Sequence, residues 1–275
     1  MRRAIVQSGD CGDFGRRKSG ESTPQRSGLA ARRRRATYDR IGAVLRPANE
    51  LERHRAPPER WQGIPCWSFA LGAFRARFLG VGAPGRDAAL AGQLAPEVAA
   101  AAWLHQCHSA AVLDAEPGLV GDGDALVVRR AGLAAIVATA DCVPVLVAGE
   151  RSATAIHAGW RGIVAGVVGR ALERLAEPPR AAWIGPAIGP CCYEVGPEVA
   201  AAVVGASDAR ALAVARGERP YLDLRRAVAA QLAVGGVEAI TVVDLCTRCH
   251  PELLASHRRD GERAGRNLAL VWRVA

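Results

Sequence analysis

LAAIVATADCVPVLVAGERSATAIHAGWRGIVAGVVGRALERLA, residues 133–176, sets the architecture of this chain. Leu133–Thr139 and Val143–Ala148 are short, nearly continuous apolar runs, the pattern of strands buried on both faces. Pro144 has no N–H to give to a ladder, so it predicts an edge or a bulge in the second run. Ala153–His157 reads as a third strand. Gly159 breaks it, and Val164, Val168, Leu172 and Leu175 then recur at helical spacing. They predict one helix from Trp160 to Ala176, ended by Pro178–Pro179. Strands intermixed with helices imply an α/β (α+β layered) domain with mixed sheets flanked by helices.

On the N-terminal side, Pro65–Arg77 reads as one or two strands, Ala88–Ala102 as an Ala-rich helix and Ala110–Leu113 as a short strand. Ala125–Val128 and Leu133–Thr139 form a strand pair around Arg129–Gly132. On the C-terminal side come a strand at Ala181–Ile184, the loop GPAIGPCC, and helices at Gly196–Val204 and Leu222–Val234. Gly235–Gly236 ends the second of these. Strands at Ala239–Asp244 and Leu268–Val274 complete the pattern.

The 275 residues suffice for a full core. No run of eighteen or more apolar residues predicts a membrane span. The formal net charge of +9 is uneven. Residues 1–60 carry 15 Arg/Lys against 7 Asp/Glu, a net of +8, whereas residues 61–275 carry 21 against 20, a net of +1. Residues 1–60, with the Arg32–Arg35 run and a short helix near Tyr38–Arg46, read as a disordered basic extension. Residues 61–275 read as the catalytic domain. Nucleic acid is not an expected partner beyond weak binding through the Arg-rich extension. Eight cysteines without a secretory signal predict reduced thiols and a cytoplasmic location.

Three segments each offer a metal-type ligand beside small residues and a strand: His108 in HQCHS, Cys142 in TADCVPVL and His157 in AIHAGWRG. If they converge in space, they make a two-histidine, one-thiolate site with room for a fourth ligand, a protein ligand in a structural zinc site or water or substrate in a catalytic one. The thiolate is the metal-binding form of cysteine. Asp122 and Asp124, in GDGDALVV, offer carboxylates to orient a histidine from behind or simply a polar turn before a strand, with Asp124 the candidate carried forward, and Asp141 precedes Cys142. His105 and Cys107 compete with His108 within HQCHS. Arg161 lies in the first turn of the expected helix, where anions are favoured. His257-Arg258-Arg259-Asp260-Gly261 sets two guanidinium groups beside a turn, a pattern suited to an anion. Cys246-Thr247-Arg248-Cys249-His250 has the spacing for covalent haem, but that chemistry requires export. As a zinc half-site it lacks a well-spaced second pair, since Cys191 and Cys192 are adjacent.

TADCVPVL, HAGWRG, GPAIGPCCYEVG and the CT, RRDG and GR elements of the tail, in this order, resemble the laccase-domain, or multicopper polyphenol oxidase, family. The resemblance spans about Phe74 to Val274. It implies a single domain of the cysteine-hydrolase-like type, and purine nucleoside phosphorylase with adenosine deaminase and methylthioadenosine phosphorylase activity. It puts the metal ligands on His108, Cys142 and His157 and implies zinc. Purine nucleoside and phosphate are the implied substrates, with Arg77, Arg161 or Arg258 to hold phosphate. The family's F-x-x-R-x-G-G-x-S element survives only as Phe74–Gly82.

Three other readings compete. A Cys142–His157 thiol hydrolase uses the same thiol as a nucleophile. A copper-dependent phenol oxidase needs more histidines than the six present. A metal-stabilised interaction module needs no chemistry at all.

Overall fold

The computed structural model describes residues 51–86, 93–216 and 219–275. The Arg32–Arg35 run and the helix expected near Tyr38–Arg46 lie outside the described residues.

Two seven-stranded sheets make the body. The first runs, edge to edge, β1 (Glu52–His54), β15 (Ala239–Val243), β12 (Ala181–Ile184), β10 (Val143–Ala148), β11 (Ala153–Ala158), β8 (Ala125–Val128) and β6 (Val112–Asp114). The second runs β2 (Glu59–Trp61), β3 (Ile64–Leu71), β4 (Phe74–Leu79), β16 (Asn267–Arg273), β9 (Leu133–Thr139), β5 (Ala100–His105) and β7 (Gly118–Asp122). A separate hairpin pairs β13 (Leu212–Arg216) with β14 (Arg219–Leu222). Helices flank the sheets, among them α1 (Trp160–Ala165), α2 (Val167–Leu175), α3 (Pro197–Gly205), α4 (Leu224–Val234) and α5 (His257–Asp260). None is long and apolar enough to cross a membrane.

Alternation along each strand builds the layers. In β9, Leu133, Ala135 and Val137 enter the core between the sheets, while Ala134, Ile136 and Ala138 pack on the outer face of the second sheet. In β10, Leu146 and Ala148 face the second sheet, and Val143, Val145 and Val147 face the helices. Ile163, Val168, Leu172 and Leu175 of α1 and α2 cover that outer face with Ala227, Val228 and Leu232 of α4. The stack is therefore helices, first sheet, second sheet, the layered α/β architecture read from the sequence.

Several local expectations are corrected. Residues 51–60, assigned to the basic extension, contain β1 and β2, which pair with β15 and β3. Ala100–Ala102, expected in a helix, belongs to β5 and pairs with Leu133–Ala135. Ala101 and Ala102 enter opposite cores, so burial on both faces overrides alanine's helix propensity there. β8 and β9 do not pair. They lie in different sheets and stack through Leu126, Val128, Leu133 and Ala135. Pro144 sits on an interior strand, not an edge. It occupies the end of the ladder to β12, where only its carbonyl is used, accepting from Gly185 N at 2.9 Å. The helix after His157 is two helices, because Gly166 takes a left-handed φ of 83° between them. Val164 is consequently exposed, and Ile163 takes the buried place.

The strand directions position the site. β5, β7 and β9 are parallel neighbours in the second sheet. After each, the chain crosses to the first sheet at the same end of the stack, into β6, β8 and β10. β11 runs antiparallel to β8 and β10, so it ends where they begin.

Candidate metal centre

The three crossings deliver His108, Asp124 and Cys142, and the end of β11 delivers His157. One donor atom from each of His108, Cys142 and His157 lies within 4.8 Å of the others. Cys142 Sγ is 3.7 Å from His108 Nε2. The two imidazoles meet edge to face, with centroids 4.9 Å apart. Pairing within the first sheet sets Pro144 opposite His157 and Ala125 opposite Ile156, which holds Cys142 and Asp124 beside β11's last residues.

Asp124 is fully buried and braces the centre from behind. Its Oδ1 accepts from His157 Nδ1 at 2.7 Å and from the His108 amide at 3.1 Å. Its Oδ2 accepts from the Ser109 amide at 2.5 Å and from Ser109 Oγ at 2.8 Å. The Asp124 carbonyl accepts from the His157 amide. The bond to Nδ1 fixes the ring so that Nε2 is the free nitrogen of His157, the outer support metal-binding histidines commonly have. Burial disfavours the Asp124 carboxylate, but His157 and Ser109 outweigh it and hold its pKa below the ordinary range.

Asp141 does comparable work beside Cys142. It adopts a left-handed φ of 91°, and His108 a φ of 59°, costly conformations for residues with side chains. Asp141 is held there by Thr247 Oγ1, 2.5 Å from Oδ1, and by the Arg258 amide, 2.6 Å from Oδ2.

The electrostatics favour an anionic sulfur. Burial opposes ionisation of Cys142, but His108 and His157 overcome it and lower its pKa to about 6. Burial likewise opposes charge on His157, while Asp124 and Cys142 raise its pKa to about 9. These are two faces of one coupled pair, thiolate and imidazolium.

Gly159 leaves the space in front. A Cβ there would lie 2.7 Å from His108 Cδ2 and 3.1 Å from Cys142 Sγ. Two imidazoles, one thiolate and an open side fit a single metal ion with a vacant coordination position. They do not fit a multicopper cluster. Of the other histidines, His105 bonds Asp122, His250 pairs with Glu252, and His54 stacks on Phe69.

Around this centre stand the candidate anion-binding residues. Arg161 is exposed and stacks over Trp160 at 4.5 Å. Arg258 stacks over Tyr193 at 5.3 Å and donates to the Glu194 carbonyl. Tyr193, passed over in the sequence, joins them: burial first, then Cys142, pushes its phenol pKa up to about 12. Arg77 is not brought to the centre. It points to the outer face of the second sheet, between Trp61 and Trp272, where Nη1 donates to the Leu94 carbonyl. Strand parity explains this, since its neighbours Ala76 and Phe78 face the inter-sheet core.

Residues 86–274 match the family described as multi-copper polyphenol oxidoreductase laccase. A Shigella flexneri protein named purine nucleoside phosphorylase YfiH is 39% identical over 181 residues, 62% of this chain and 73% of its own. A Mycobacterium tuberculosis protein named purine nucleoside phosphorylase is 42% identical over 180 residues, 62% of this chain and 71% of its own. Among solved structures, a Neisseria meningitidis protein superposes with a TM-score of 0.66 at 26% identity, over 77% of this chain and 99% of that one. YlmD from Geobacillus stearothermophilus gives 0.59 at 30% identity, over 64% and 74%. With the family's pattern matched across most of its length, this chain belongs to the multi-copper polyphenol oxidoreductase laccase family.

Proposed function

We propose that this chain is a zinc-dependent purine nucleoside phosphorylase, acting on adenosine, inosine and methylthioadenosine, that also deaminates adenosine. The observation that carries this is the convergence of His108, Cys142 and His157 over the buried Asp124. The names borne by relatives at 39% and 42% identity support the substrate class. Two imidazoles and a thiolate suit zinc with one tetrahedral position open. A bound zinc ion supplies Lewis-acid polarisation of a substrate atom at that point.

The chain's own residues do the rest. Arg258 and Arg161 hold phosphate by charge, Arg258 from a backbone anchored on Asp141. A phosphate oxygen bonds to C1′ as the C1′–N9 bond breaks, and the electron pair leaves with the purine, which takes up a proton. The Tyr193 phenol stays protonated at neutral pH, which suits it to donate to the departing base. Deamination replaces the C6 amine with a water oxygen and needs no phosphate. The reduced thiols of the centre suit a cytoplasmic location. The active unit is the two-sheet body, so deletion of residues 1–50 leaves turnover intact.

Product analysis with adenosine, with and without phosphate, tests the reading. Adenine plus ribose 1-phosphate reports phosphorolysis, and inosine reports deamination. Cys142→Ala should lose zinc from this centre and both activities. Should it keep zinc there and full turnover, the reading is wrong.

One observation favours a second reading. Asp124, His157 and Cys142 are arranged as a charge-paired thiol nucleophile would be. A metal-bound thiolate is not free to attack, so a metal-free protein inactivated by alkylation would favour a thiol hydrolase.

A further inference from the structure

A second ligand cluster lies where GPAIGPCC meets the segment after β15. One sulfur from each of Cys191, Cys192, Cys246 and Cys249 lies within 4.8 Å of all the others. Cys249 Sγ is 3.6 Å from Cys191 Sγ and 3.4 Å from Cys192 Sγ. Four sulfurs around one zinc at ~2.3 Å stand ~3.8 Å apart in a tetrahedron. An iron–sulfur cluster spreads its cysteines across its own width, so this compact set suits a single ion.

The backbone explains how adjacent cysteines share one point. The amides of Cys192 and Tyr193 both donate to the Gly189 carbonyl, at 2.9 and 3.0 Å, in a tight turn. Cys249 N donates to the Cys246 carbonyl at 3.2 Å, giving the C-x-x-C segment its own turn. The two segments are tied together by Thr247 N to Ala187 O at 3.1 Å. The Gly189 amide donates to Cys246 Sγ at 3.2 Å, a bond that favours thiolate over thiol. Four thiols without a metal are four weak donors gathered with little to pair them, whereas a metal displaces their protons and takes all four.

We propose that Cys191, Cys192, Cys246 and Cys249 hold one structural zinc ion, separate from the His108–Cys142–His157 centre. The site has four protein ligands and no open position, so its role is mechanical. Cys192 precedes Tyr193, and Thr247, between Cys246 and Cys249, holds Asp141 beside Cys142. The ion clamps these two segments, which adjoin the His108–Cys142–His157 centre through Thr247 and Asp141.

The test is zinc content of the full chain, purified reduced and freed of loose metal. The wild type should hold about two zinc ions per chain and Cys142→Ala about one. Cys249→Ser should also fall to about one, and the double variant to about none. Because Cys249→Ser removes a structural ligand and risks misfolding, two further measurements use chains that keep all four cysteines. Cys142→Ala loaded with Co²⁺ alone should show strong sulfur-to-cobalt charge transfer. In the wild type, Cys191, Cys192 and Cys249 should resist alkylation until a chelator strips the zinc. A Cys142→Ala protein without zinc overturns the proposal. So does a disulfide joining Cys249 to Cys191 or Cys192 in wild-type protein carrying only one zinc.

Discussion

The two ligand clusters are supported in opposite ways. Behind His108, Cys142 and His157 stands a buried carboxylate whose oxygens receive the His157 ring, the His108 amide and both donors of Ser109. Around Cys191, Cys192, Cys246 and Cys249 no buried carboxylate among the described residues stands behind the sulfurs: two turns and one amide aimed at a sulfur shape the set, and Arg259 and Arg225 reach neighbouring carbonyls, those of Thr247, Arg248 and Leu245. Around a tetrahedral ion, three ligands leave one position open and four leave none. The difference teaches that a site meant to stay open needs rigidity from outside the ligands, whereas a closed site gets it from the ion.

The strongest attack on that contrast is Asp124→Ala. Removing this carboxylate leaves His157 and the Ser109 amide without their buried acceptor, which should cost about 3–5 kcal/mol of stability, read by urea unfolding. Metal should leave the His/Cys centre and stay on the four cysteines. Equal loss from both would mean that the two clusters share their support.

Gly159→Ala is a smaller change. Its φ of −75° tolerates a side chain, so the added methyl acts only through contact with His108 and Cys142. Overpacking of this kind costs about 1–3 kcal/mol and should appear as weaker zinc binding at this centre with an unchanged far-ultraviolet spectrum. Unaltered zinc affinity would show that the face in front of the ligands is not the metal's.

In metal-free protein the clusters should also separate by pH. Cys142 has its pKa lowered, so its thiolate persists as pH falls until about 6. Cys249 is raised to about 11, first by its contact with Cys192 and then by burial, and should alkylate more slowly than Cys142 and gain reactivity at higher pH. Mass-spectrometric mapping of alkylation against pH reads both, and coincident profiles would erase the distinction.

Arg161→Ala should raise the phosphate KM of phosphorolysis several-fold, a loss of about 1 kcal/mol for a solvent-exposed charge, and spare deamination and zinc content. Equal harm to both reactions would make Arg161 structural. Smallest of all, Arg77→Met should lower stability by about 1–2 kcal/mol through lost stacking on Trp61 and Trp272 and leave kinetics alone. An effect on phosphate KM would return Arg77 to the site.

The ligands of the open centre were legible because each stands at a strand end beside small residues, as in TADC and AIHAG. Asp124 was legible as a carboxylate at the same kind of place. Arg77 was not, because its side of β4 depends on which face meets the other sheet, and only the packing of Ala76 and Phe78 settles that. The stacking of β8 and β9 was hidden for the same reason: two short apolar runs around the Arg129–Gly132 turn read as a hairpin until each strand has a sheet. The four-cysteine cluster was hidden because spacing rules assume ligands two to four residues apart, and a turn at Gly189 lets neighbours converge. Tyr193 carried no pattern of its own.

Three of the four parts of the open centre arrive on segments that leave one sheet for the other. His108, Asp124 and Cys142 are thus stitches across a seam, and the distance between them is set by how the two sheets seat on each other. A sliding of the sheets by even a fraction of a strand spacing would open the ligand set before any helix melted. Metal release then becomes a gauge of inter-sheet slip. Weakened packing at Phe78 or Trp183, buried in the inter-sheet core, would register at the centre as loss of metal while the secondary structure stayed intact.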